Sequence, residues 1–360
     1  MSLTEIIQQK IEDKGAICFE DFMEMCLYYP ELGYYTSPKN KIGKNGDFYT
    51  SAYLTPVFGA LIGKQLEEMW ETLGGTDFTI VEYGAGTGML CHDILSYLKK
   101  NEEMYDQLKY YIIEKSPVMR DIERSHLSEK VEWLNSIDEL TEVNGCILSN
   151  ELVDNFAVHQ IVMKDELMEV FVTYDNGFTE VLQPAQEKLK EYLKELNIEL
   201  PKDFRSEINL QAINWMEEIA SSLNQGYVMT IDYGYLSSEL YKPHRSQGTL
   251  MCYNNHTVND NLYDNIGGQD ITSHVNFSAL MNFGTKSGLN ECGFTNQGNF
   301  LLSMGFNEVI QQMFTHGDDV IQAAQKISFL SHTLLVDMGS KFKFLIQEKG
   351  MKGKKLLGFQ

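Results

Sequence analysis

Thr79-Ile-Val-Glu-Tyr-Gly-Ala-Gly-Thr-Gly88 is the stretch on which the fold turns. An apolar run with β-branched and aromatic residues meets a glycine cluster, and Met89 to Lys99 then reads as a helix. Strand, glycine turn and helix in that order open a βαβ unit. Glycine suits the turn because a backbone without Cβ bends tightly and lets a ligand approach closely. The helix start adds free N–H groups and the positive end of a dipole.

Working outward, Tyr110–Glu114, Val131–Leu134 and Cys146–Ser149 repeat the short apolar run, with helical stretches between them. Tyr227–Asp232 reads as a fifth strand, and Leu289–Phe294 and Phe342–Gln347 as late ones. Strands alternating with helices predict a doubly wound parallel sheet with right-handed crossovers. The interval 158–226 breaks the alternation. Val158–Met163, Leu167–Thr173 and Phe178–Leu182 predict a small β-meander, with Asn176-Gly177 as a hairpin signal. Two amphipathic helices follow, one placing Leu189, Tyr192, Leu193 and Leu196 on a face, the other Ile208, Ala212, Trp215, Ile219 and Leu223. Residues 236–276 show no period and are expected to be a long loop, of the kind that is usually functional or mobile. The chain therefore divides into an N-terminal helical region (1–75), the first part of an α/β core (76–157), an inserted subdomain (158–226) and the rest of the core (227–360).

The 360 residues carry a net charge of −22. Such a chain repels phosphate backbones, so nucleic acid is not expected as a partner and a basic protein is easier to accommodate. No apolar run approaches the length of a membrane helix, and no membrane association is expected. The six cysteines include no C-x-x-C pair, and the N-terminus has neither an apolar leader core nor arginine. A reducing, cytoplasmic location is the expectation. His244, His256 and His274 match no metal-site spacing, so no metal is expected, and His159 reads as structural. A homodimer is allowed.

The glycine cluster distinguishes two ligand classes. A dinucleotide fingerprint wants its third glycine where this chain has Met89. The spacing found is G-x-G-x-G, with Glu82 two residues ahead of Gly84, Gly86 and Gly88. That is the pattern of S-adenosyl-L-methionine sites in class I methyltransferases, where the acid suits a cationic amino-acid end. Glu114, ending the second strand, is placed to accept from ribose hydroxyls, and Asn135 and Ser136 to meet an adenine edge. Ser149-Asn-Glu-Leu-Val-Asp154 follows the fourth strand, at the end of the sheet where ligands bind. Ser149 is assigned to the cofactor. Asn150, Glu151 and Asp154 are the catalytic candidates, since carboxylates orient a guanidinium through paired hydrogen bonds and serve as bases. These acids also suit a helix N-cap. A nicotinamide oxidoreductase and a non-catalytic assembly factor using the same cleft are the alternatives.

Several motifs together resemble the MidA family of S-adenosyl-L-methionine-dependent methyltransferases, a relative of the mitochondrial arginine methyltransferase that assists respiratory complex I assembly. The carriers are Tyr29-Pro-Glu-Leu-Gly-Tyr-Tyr35, Gly46-Asp-Phe-Tyr-Thr-Ser51, the glycine motif, Ser149 to His159, Ile231-Asp-Tyr-Gly234, Arg245 with Gly248-Thr-Leu250, Asp270-Ile-Thr-Ser-His274 and Thr295-Asn-Gln297. The resemblance implies a Rossmann-like α/β methyltransferase core with N-terminal helices and an inserted β-meander plus helical subdomain. It also implies that Gly46, Asp47, Thr50 and Ser51 close over the cofactor or substrate, and that the acceptor is a protein nitrogen, with arginine favoured. The chain departs from the family at Ala52-Tyr53, where Pro-Glu is usual, and at Ala157, where proline is usual.

Overall fold

The computed structural model describes residues 1–38, 41, 50–127, 130–254, 257–314, 320–351 and 353–360. The chain folds as two compact units, each gathered from three segments. One comprises Met1–Phe48, Val153–Met216 and Gly234–Phe283, the other Tyr49–Leu152, Glu217–Tyr233 and Gly284–Gln360.

The second unit is built on a sheet of strands β1 (Phe78–Tyr83), β2 (Leu108–Ile113), β3 (Val131–Leu134), β4 (Val143–Asn150), β5 (Leu223–Tyr235), β6 (Asn290–Asn296) and β7 (Phe342–Lys349). Their spatial order is β6-β7-β5-β4-β1-β2-β3. Strands β1 to β5 pair in parallel, whereas β7 runs antiparallel to both β5 and β6. Chain order reverses between β1 and β4, and an open α/β sheet opens a ligand crevice at such a point. β1 is buried along nearly its whole length, as a strand covered on both faces must be. Helices α1 (Pro56–Thr72) and α2 (Met89–Leu98) supply Leu61, Ile62, Leu66, Leu90, Ile94 and Leu98 to a core shared with Ile80, Ile112, Leu148, Met229 and Phe344. α1 starts where Thr55 caps the Val57 N–H and Pro56 takes the first helical position. It packs tightly on α2 because Gly59 and Gly63 lack side chains; a Cβ at Gly59 would stand 2.4 Å from the Cβ of Asp93.

In the first unit, the meander is present as His159–Met163, Leu167–Tyr174 and Phe178–Pro184, with the hairpin turn at Asn176 and Gly177. The helix Leu3–Lys14, held by a capping box between Ser2 and Glu5, precedes the two-residue strand Ile17–Cys18 and the helix Phe19–Tyr28. Phe19, Phe22 and Leu27 pack with Val158, Val172, Cys252 and Ile271.

Two expectations are corrected. Ile208 and Leu223 are not in the second amphipathic helix, which spans Leu210–Ser222: Ile208 ends the strand Arg205–Ile208, paired with His159–Val162, and Leu223 begins β5. The stretch 236–276 is not a long irregular loop. Met251–Asn254 pairs with Thr257–Asn259 and Asp270–Thr272, and Val275–Asn276 lies parallel to Gly234–Tyr235. Backbone pairing rather than apolar periodicity orders these residues. Among the described residues no helix is long and apolar enough to cross a membrane.

Candidate functional site

The carboxyl end of β1 leads into the glycine loop, with Gly84, Gly86 and Gly88 all at positive φ (66°, 59° and 73°). Side chains are disfavoured there twice over. Left-handed backbone costs an L-residue roughly 1–2 kcal/mol, and a Cβ at Gly84 would lie 2.8 Å from Leu152. Gly88 is the N-cap of α2, and as glycine it has no side chain to take up the donors of the first turn.

Beneath the loop sits a buried acidic floor. Glu82 is 2% exposed and accepts from the Tyr110 hydroxyl at 2.6 Å, and burial pushes its carboxyl up to about 7. Glu114 accepts from the Ser116 N–H at 2.7 Å and from the Gly86 N–H, which ties the end of β2 to the loop. Burial raises its pKa, while those backbone donors and Arg120 oppose the rise. The structure adds Glu123, on helix α3 (Pro117–His126) and fully buried. One of its carboxylate oxygens accepts from Trp133 Nε1 at 2.6 Å, and the other has no hydrogen-bond partner among the described residues. Burial, then the charge of Glu114, pushes Glu123 up to about 8. The sequence signal for it was an acid four residues after Met119, on the buried stripe of a helix.

Arg120 is a second addition. Its guanidinium donates to the carbonyls of Glu114 and Leu134 at 2.6 and 2.8 Å and to Asn135 Oδ1 at 3.0 Å, clamping the ends of β2 and β3. Asn135 and Ser136 lie just past β3. The Ser136 hydroxyl caps the short turn Ile137–Glu139, and Glu139 accepts from both backbone N–H groups.

At the end of β4, Ser149 is 1% exposed, and among the described residues neither its hydroxyl nor the buried Asn150 Oδ1 has a hydrogen-bond partner. The Asn150 amide donates to Glu151 Oε1 at 3.2 Å. Glu151 itself has φ +51° and donates its N–H to Ile231 O at 2.9 Å. A non-glycine residue held in that region is strained, and such strain clusters at functional sites. Asp154 belongs to the first unit, 3% exposed, with Asn155 Nδ2 donating to its carboxylate at 3.1 Å. There the Tyr35 hydroxyl shares its one proton between Asn155 Oδ1 at 2.8 Å and Asp270 Oδ1 at 3.0 Å. Thus Asn150 and Glu151 stay together at the sheet edge, whereas Asp154 joins a carboxylate and tyrosine cluster with Asp270. Thr50 caps the helix Ser51–Leu54, and the Ser51 hydroxyl donates to Gln297 at 3.1 Å. Gly46 and Asp47 lie outside the described residues.

The residues fit S-adenosyl-L-methionine. Three buried carboxyls and two unsatisfied oxygens offer acceptors to an ammonium group and ribose hydroxyls, and the glycines leave room for them. A pyrophosphate would meet the same acids as like charges, which disfavours a dinucleotide. This topology and loop define a class I methyltransferase. The model of a family described as "Putative S-adenosyl-L-methionine-dependent methyltransferase" matches residues 61–295, well over half of the chain. The chain belongs to that family and is an S-adenosyl-L-methionine-dependent methyltransferase.

A crystal structure of a Burkholderia thailandensis protein bound to S-adenosyl-homocysteine superposes with a TM-score of 0.89 at 28% identity, covering 99% of this chain and 94% of that one. The protein arginine methyltransferase NDUFAF7 homolog, mitochondrial, of Drosophila melanogaster is 25% identical over 97% of this chain and 85% of its own. The Homo sapiens protein of that name is 22% identical over 94% and 81%. These names correct the cytoplasmic expectation, since the relatives are mitochondrial.

Proposed function

We propose that this enzyme methylates a nitrogen of a protein side chain, the arginine guanidinium being the favoured acceptor. The observation that carries the proposal is Glu151, held in strained backbone beside Asn150 at the carboxyl end of β4. S-adenosyl-L-methionine supplies the methyl group. Glu151 orients the acceptor nitrogen through charge-assisted hydrogen bonds and takes its proton. Asn150 aligns Glu151 through its amide and offers its unsatisfied oxygen to the acceptor. The relatives' names as protein arginine methyltransferases support the same acceptor.

The test is transfer of labelled methyl to arginine-rich and lysine-rich polypeptides, with Glu151→Gln beside the parent. Glu151→Gln should bind S-adenosyl-L-methionine normally and lose roughly 10²–10⁴-fold in transfer rate. Cofactor binding without transfer to any acceptor would favour a non-catalytic assembly role. Full activity in the variant would remove Glu151 from the mechanism.

A further inference from the structure

Cys18, Glu20, His159 and Glu169 are far apart in sequence, yet strand pairing gathers them. Cys18 stands opposite Phe171, two residues along the strand from Glu169, and Glu169 stands opposite Ile161, two residues from His159. With a side-chain period of two, Cys18, Glu169 and His159 share one face of the sheet. Glu20 follows in the first turn of Phe19–Tyr28, and Cys18 at the N-cap makes no capping bond with its side chain.

His159 is 5% exposed, and its Nδ1 lies 2.7 Å from Glu169 Oε1, itself on a residue 2% exposed. That contact orients the ring and directs Nε2 at Glu20 Oε2, 3.4 Å away. The other Glu20 oxygen accepts from Gln211 Nε2 at 3.0 Å. One sulfur, one nitrogen and one oxygen, from Cys18, His159 and Glu20, lie within 4.8 Å of one another. Ligand atoms on a tetrahedral zinc lie at about 2.0–2.3 Å from the ion, so small side-chain rotations bring all three into bonding range. A surface depression lined by Lys10, Lys14, Cys18, Asp21 and Glu169 gives an ion a way in.

We infer that Cys18, Glu20 and His159 bind one zinc ion, with Glu169 as the outer carboxylate that fixes the imidazole, so that the ion staples the N-terminal segment to the inserted sheet. A mixed sulfur, nitrogen and oxygen donor set suits zinc, and a carboxylate behind a ligating histidine is its usual support. The thiolate and the Glu20 carboxylate balance the charge of the ion, and the thiol proton leaves to solvent. A ligating thiol must give up its proton, so loading weakens as pH falls.

The test uses the full chain, stripped with chelator and titrated with zinc or cobalt at mildly alkaline pH. One equivalent of zinc should be retained and should raise the melting temperature, as a ligand of the native state does. Cobalt should give thiolate-to-metal charge-transfer absorption that saturates at one equivalent. Cys18→Ser, confirmed as folded by circular dichroism, should lose that absorption. Glu169→Gln should keep it with roughly 10–100-fold weaker affinity. No retained zinc and no cobalt–thiolate band would overturn the site and leave His159 as an ion-pair partner between two glutamates. Binding unchanged in Cys18→Ser would overturn it as well.

Discussion

Glu151 concentrates the residue-scale argument. Its φ of +51° costs roughly 1–2 kcal/mol in a residue with a side chain, and glycine would relieve that strain. Glu151→Gly is therefore expected to melt at or above the parent temperature while losing methyl transfer, which a thermal scan beside an activity assay would show. A variant that melts lower would mean that the side chain supports the fold. Glu82 and Glu123 carry a pH prediction. Their carboxyls titrate near 7 and 8 in the folded chain against an ordinary 4.5. The native state thus holds protons that the unfolded chain has already released, and stability of the free protein declines as pH rises through that window. Ionisation suits a cationic ligand, so affinity for S-adenosyl-L-methionine should rise between about pH 6 and 8.5, with protons released on binding. Calorimetry in buffers of different ionisation enthalpy measures both; a flat profile would mean that these carboxyls do not face the ligand's charge. The position of Glu82 was legible from its spacing to the glycines. Its partner Tyr110 was not, because the contact crosses between strands.

At the element scale, Arg120 and the α1–α2 contact decide local geometry. Arg120 bonds to groups at the ends of two strands, and bonds to a charged donor are worth about 1.5–3 kcal/mol each when intact. Arg120→Ala should weaken cofactor binding by on the order of tenfold, read by calorimetry, with the far-ultraviolet dichroism unchanged. Gly59 is a steric position: with 2.4 Å available to a Cβ, Gly59→Val must part α1 from α2. Overpacking of this kind costs typically 1–3 kcal/mol, and a denaturant midpoint equal to the parent's would contradict it. The strands of the sheet were legible as apolar runs. Arg205–Ile208 was not, because Ile208 and Ala212 continue the four-residue spacing of the helix that follows. Only pairing with His159–Val162 makes that segment a strand.

For the whole molecule, a net charge of −22 makes the field uniform in sign over long distances. For the basic acceptor proposed above, capture should then be steered electrostatically and weaken with salt as the Debye length shortens from about 10 Å at 0.1 M to 3 Å at 1 M. The KM for an arginine-rich acceptor should rise with ionic strength while kcat stays nearly constant. Equal KM values at low and high salt would assign the charge to solubility alone. The assembly of each unit from three segments also belongs to this scale. Residues 1–48, 153–216 and 234–283 share one unit although nothing in their local composition couples them.

By itself, the sequence determined the strand–glycine–helix opening, the order of strands along the chain and the family, because each rests on contacts among neighbours in sequence or on spacings a few residues long. The same locality made the glycine loop, Glu114 and the Ser149 to Glu151 edge readable. Tertiary structure alone decided which carboxyls share the buried floor, that Arg120 clamps two strands, that 236–276 forms paired strands, and that Cys18 meets His159 across a sheet. These depend on register and packing between segments tens to hundreds of residues apart, where burial and backbone pairing, rather than local propensity, set the position of each side chain.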